Sequence, residues 1–196
     1  VSSLNGGFLS RRTEQLETYL FPVGSSVGTL RYRPIELKPT ISPNNTFEVR
    51  MANLDATFEG FDRSLTDTNI CELNPLFYHQ INRSNGLSAV DLNIYFNDLE
   101  DGLWSGISNW KQANVQWEYI PGITSAAAVP LSYASSNKWN DFDVAPYILA
   151  HINELLIFDS ILPFCQNNPA PSLPTISLNG FSGTWSGSID SSLLGI

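Results

Sequence analysis

The sequence predicts an α+β fold: a β-rich single domain with a mainly antiparallel sheet, one long helix over about 146–162, and an extended C-terminal arm. Three observations predict it. Apolar and polar residues alternate with period two in several runs of the first two thirds, the signature of half-buried strands. Tyr147 to Phe164 is the most apolar segment and has the length of a buried helix. After Cys165 the composition turns to Pro, Asn, Gly and Ser. With 196 residues, 42% hydrophobic and 15% charged, the chain has the apolar content for a well-packed core and is not disordered as a whole. An all-β sandwich or jelly roll is the alternative, and the long helix argues against it.

The elements follow in order. Ser10 to Leu20 suits a helix with Leu16, Tyr19 and Leu20 inward. Thr29 to Leu37 reads as short or edge strands, limited by Pro34 and Pro39. Phe47, Val49 and Met51 alternate with Glu48 and Arg50, and Leu54, Ala56 and Phe58 with Asp55 and Thr57. The phase slips at Asn53, so a bulge or tight turn at Ala52-Asn53 divides the two runs and Gly60 ends the second. Asn74-Pro75 has the form of an N-cap followed by Pro at the first helical position and opens a short helix over 75–82, ahead of Asn85-Gly86.

Val90, Leu92, Ile94 and Phe96 mark a half-buried strand. Leu103 to Lys111 suits a short helical turn with Trp104, Ile107 and Trp110 on one side. Val115, Trp117 and Tyr119 form a further strand, closed by Pro121-Gly122. The long helix has Asp143 as an upstream cap and Pro163 as its stop; Ile148, Leu149, Ile152 and Leu155 cover more than one face, so it is packed on both sides. Polar residues interrupt it too often for a membrane span.

The globular domain is expected over 1–165 and the arm over 166–196. The arm carries Ile176, Leu178, Phe181, Trp185 and Ile189 in a Gly- and Ser-rich context and cannot fold alone. It either completes its own sheet or lies on a neighbouring subunit by strand addition, which makes those five residues the candidate intersubunit contact.

Charge narrows the function. Lys+Arg number 10 against Asp+Glu 19, a formal charge of -9, which argues against a dedicated nucleic-acid binder. Arg31, Arg33 and Lys38 read as gatekeeping charges on an edge strand. A surface solubilised by Asn, Ser and Thr suits secreted proteins and assembled shells, where repulsion between packed copies must stay low. Val1 at the start implies a precursor, a processed product or a trimmed chain, with no signal peptide left to read. Cys71 and Cys165 are far apart, lack metal-ligand spacing, and read as two separate buried thiols, with a disulfide as the minority reading. Two sequons, at Asn44 and Asn82, fall in expected turns.

Site chemistry is sparse. His79 and His151 both lie among apolar residues and read as core histidines, and no GxSxG elbow accompanies them. Walker A, GxGxxG and zinc patterns are absent from the sequence, so no catalytic, cofactor-binding or metal residues are expected. The best enzyme argument is the acidic turn Asp98, Glu100 and Asp101 beside Trp104 and Trp110, since a glycosidase needs two carboxylates and sugars stack on aromatic rings. That turn lacks the spacing of a calcium loop.

Two functional expectations result. The first is a non-enzymatic structural protein of an assembly, a capsid or capsid-decorating outer subunit of a non-enveloped virus, virion or extracellular in location. Its partners would be copies of itself or another shell protein. The alternative is a secreted carbohydrate-binding or carbohydrate-active β domain, which would leave at least two tryptophans exposed beside the acids.

Overall fold

The computed structural model describes residues 6–120, 123–126, 130–142, 146–153, 172–176, 178 and 184. Contacts divide the chain into two units, Val1–Asn153 and Glu154–Ile196. The regular structure described in the first unit is almost all strand: β1 (Leu9–Thr13), β2 (Tyr19–Phe21), β3 (Gly24–Ser25), β4 (Arg31–Tyr32), β5 (Ile35–Pro39), β6 (Asn45–Ala52), β7 (Ile70–Leu73), β8 (Tyr78–Asn85), β9 (Val90–Phe96), β10 (Gly106–Lys111), β11 (Gln116–Tyr119), β12 (Ile123–Ala126), β13 (Ser132–Trp139) and β14 (Pro146–Ile152). One four-residue helix, α1 (Asp98–Asp101), and a 3-10 turn, Ala56–Glu59, complete the regular structure among the described residues.

A seven-stranded sheet has the order β1-β6-β8-β14-β10-β11, with β7 also on β14. A five-stranded sheet has the order β12-β13-β9-β5-β2. The strand pairings are antiparallel. Period two dictates what each face meets. From the five-stranded sheet Ile35, Leu37, Leu92, Ile94 and Phe96 point inward; from the seven-stranded sheet Phe47, Val49, Ile81, Ile107 and Leu149 meet them in one core. The opposite face of the large sheet carries a second core, where Tyr78, Trp110, Trp117, Ile148 and Ala150 pack with Ala52, Ala56, Ile70 and Leu73. The large sheet is therefore buried on both faces along its centre.

The β-rich, mainly antiparallel expectation holds, and the long helix does not. Residues 146–152 form β14, a central strand whose residues Pro146 to Ala150 are all buried. Tyr147 and Leu149 enter the first core, Ile148 and Ala150 the second. The remainder of the expected helix and its boundary at 165 lie outside the described residues.

Three shorter helices are corrected too. The segment 10–20 holds β1 and β2 around a turn in which the Tyr19 hydroxyl accepts from the amides of Glu14 and Gln15 at 2.9 Å each. Tyr19 is buried, but Leu16 and Leu20 face outward. Asn74 does cap, its Oδ1 accepting from the Leu76 amide at 2.8 Å, yet the chain then extends into β8. Residues 106–111 are β10. The second alternating run, 54–58, closes as a 3-10 turn between Asp55, which accepts from the Thr57 amide, and Gly60 at φ 92°. The strands expected around Phe47, Leu92 and Trp117 are present as β6, β9 and β11. Cys71 is exposed and free, not buried as the sequence suggests, because it points outward from β7. Cys165 lies outside the described residues.

Candidate functional site

The acidic turn after β9 holds the candidate ligand patch of the alternative, carbohydrate reading. Asn97 caps α1 by accepting from the Leu99 amide at 3.0 Å, which fixes the turn after β9. Asp101 is then carried inward, its side chain fully shielded, and ion-pairs with Arg33 and with Arg31 at 3.3 Å. Its carboxylate also accepts from the Asn97 amide at 2.8 Å. Glu100 accepts from Arg33 Nη2 at 2.6 Å, and Asp98 from the Ser132 hydroxyl at 2.8 Å. Burial lowers the Arg33 pKa, but the bonds to Asp101 and Glu100 outweigh it and hold the guanidinium charged.

Asp101 and Glu100 are committed to holding β4 and the following residue Arg33 against α1, while Asp98 ties α1 to β13. Arg31 also reaches Asn53 Oδ1 at 2.7 Å, and Asn53 Nδ2 donates to the carbonyls of Val27 and Thr29 at 2.8 Å each. Trp104 belongs to the same cluster but is 7% exposed, with its indole N–H on the Asp101 carbonyl at 2.9 Å and its ring 4.8 Å from that of His151. Trp110 does not join it. It lies 3% exposed in the second core, 5.5 Å from Trp117 and 5.7 Å from Phe61. The structure thus brings Asp98, Glu100, Asp101 and Trp104 together and leaves out Trp110, and neither tryptophan offers a face to a sugar.

Beside the half-exposed Glu100, this frame presents large apolar side chains to solvent. Leu30 beside Arg31 is 75% exposed and Leu99 on α1 97%; Leu103 and Tyr32 are exposed as well. Of the candidate arm contacts, Ile176 and Leu178 are exposed, while Phe181, Trp185 and Ile189 lie outside the described residues.

A second place was missed by sequence reasoning, on the outward face of the five-stranded sheet. Register sets Glu36, Asn93 and Ser135 in one row across β5, β9 and β13, with Tyr95 and Tyr133 paired in the next. Glu36 Oε2 accepts from Tyr95 Oη at 2.8 Å and from Asn93 Nδ2 at 3.2 Å. The two tyrosine rings stand 5.5 Å apart, tilted by 50°. Partial burial and the bond to Glu36 push the Tyr95 pKa up to about 12, so its proton stays in place. The alternation that marked β9 already placed Asn93 and Tyr95 on the polar face, but only register could show that Glu36 and Tyr133 join them.

Among the described residues no group of three or more His, Cys, Asp or Glu is arranged to hold a metal ion, and no helix is long and apolar enough to cross a membrane. Comparison with protein-family models, with curated proteins and with solved structures finds no match.

Proposed function

We propose that the chain is a non-enzymatic structural protein of an assembly, of the kind a capsid or a capsid-decorating outer subunit in a virion or extracellular shell requires. A two-sheet sandwich is shared by shell subunits and by sugar-binding domains, so the architecture alone does not choose between them. One observation carries the reading: Leu30, Tyr32, Leu99 and Leu103 are exposed around a turn clamped by Arg31, Arg33 and Asp101. Apolar side chains on a rigid rim lose little conformational entropy when a second surface covers them, which favours association with copies of the chain. The carbohydrate reading built on Trp104 and Trp110 has no exposed ring to stand on.

The test is the solution mass of the full chain by light scattering coupled to size-exclusion chromatography, beside the double variant Leu99→Asp, Leu103→Asp. The full chain is expected to self-associate and the variant to run as a monomer with an unchanged circular dichroism spectrum. A full chain that stays monomeric up to its solubility limit removes the reading.

A further inference from the structure

We propose that the outward face of the five-stranded sheet binds a neutral glycan through Glu36, Asn93, Tyr95 and Tyr133. The rim proposed for assembly plays no part in it. On most sheets the solvent face carries scattered polar residues; here four groups on three adjacent strands are tied together by register and hydrogen bonds. Glu36 has one oxygen filled by two neutral donors, while its other oxygen, Oε1, takes no hydrogen bond from the described residues and has no cation partner among them. An oriented carboxylate with an open acceptor calls for O–H donors, which a sugar supplies in pairs.

Beside it, two phenol rings give a sugar ring something apolar to lie against, and the Tyr133 hydroxyl can both donate and accept. Aromatic bodies with a few placed polar groups are the usual make-up of a small-ligand site. Charge selects the class of glycan: a carboxylate without a cation partner among the described residues, on a chain of net charge -9, disfavours sulfated and uronic acid polymers and admits neutral ones. The groups are spread across three adjacent strands, so the expected occupant is an extended polysaccharide and not a single buried sugar.

The experiment is native affinity electrophoresis of the full chain in gels cast with a soluble mixed-linkage β-glucan, a xylan or a galactomannan, each against a polysaccharide-free gel. At least one is expected to retard the chain, with retardation persisting at high salt. Glu36→Gln and Tyr133→Ala should each weaken the apparent affinity about tenfold or more, and Tyr133→Phe, which keeps the ring, by less than Tyr133→Ala. Urea midpoints check folding; should Tyr133→Ala unfold, the near-isosteric Glu36→Gln and Tyr133→Phe decide the matter. No retardation in any of the three gels overturns the proposal, as does retardation that ignores the substitutions. Capture by poly-lysine alone, abolished by salt, assigns the face to a cationic partner and overturns it equally.

Discussion

Arg33 shows how much one residue can organise. Its guanidinium pairs with Asp101 and Glu100, its carbonyl accepts from His79 Nε2 at 2.8 Å, and the Phe77 ring lies 5.9 Å beneath its charge. Because a carbonyl can only accept, Nε2 carries a proton in this bond. His79 is fully enclosed, and burial, with the nearby Arg33 charge, pushes its pKa from 6.5 down to about 4. The unfolded chain therefore takes up this proton first as pH falls. Stability should be flat above the unfolded value, drop between about pH 6.5 and 4, and lose roughly 3 kcal/mol to this one group by the lower end. Urea midpoints across that range test it: the slope should flatten in His79→Gln, and an identical slope in both chains would show that His79 titrates normally.

At the scale of elements, what anchors the strand ends matters as much as the strands. Asn45 is completely buried at the start of β6; its Nδ2 donates to the Ser42 carbonyl at 2.7 Å and its Oδ1 accepts from the Ser88 amide at 3.0 Å. Ser88 Oγ in turn accepts from the amides of Thr40, Ile41 and Ser42. Gly86 crosses this knot at φ 92°, where an added Cβ would overlap the Asn45 side chain. Gly86→Ala should cost about 2 to 4 kcal/mol, combining left-handed strain with a broken buried hydrogen bond. Gly28→Ala, at φ 70° with open space around it, should cost about 1 kcal/mol. Equal losses in denaturant titrations would mean that the Asn45 contact contributes nothing. The same scale explains what could be read in advance. Strands β6 and β9 alternate buried and partly exposed residues over most of their length, so period two stood out in the sequence. Strand β14 sits between two cores, and a strand apolar on both faces is indistinguishable from a buried helix by pattern. In β10, Ile107 and Trp110 enter different cores from opposite faces, yet their spacing of three mimics one helical face. The acidic turn was legible as a cluster but not as a clamp, since its cations arrive from far upstream in the chain.

For the whole molecule, the acidic balance and the apolar rim pull association in opposite directions. Two copies of net charge -9 repel at long range, while Leu30, Leu99 and Leu103 gain only on contact. Salt weakens the first effect and leaves the second. The screening length falls from about 10 Å at 0.1 M ionic strength to about 3 Å at 1 M, so self-association of the full chain should tighten as sodium chloride rises. An interface built from ion pairs would show the reverse slope. Lowering the pH toward the isoelectric point, near 4.5, would also relieve repulsion, but it enters the range in which His79 destabilises the fold and mixes association with unfolding. A salt series at neutral pH separates the two, read as weight-average mass by light scattering with circular dichroism recorded alongside. Tightening with an unchanged spectrum supports contact through the rim. Loosening with salt would move the contact onto charged surface and away from Leu99 and Leu103.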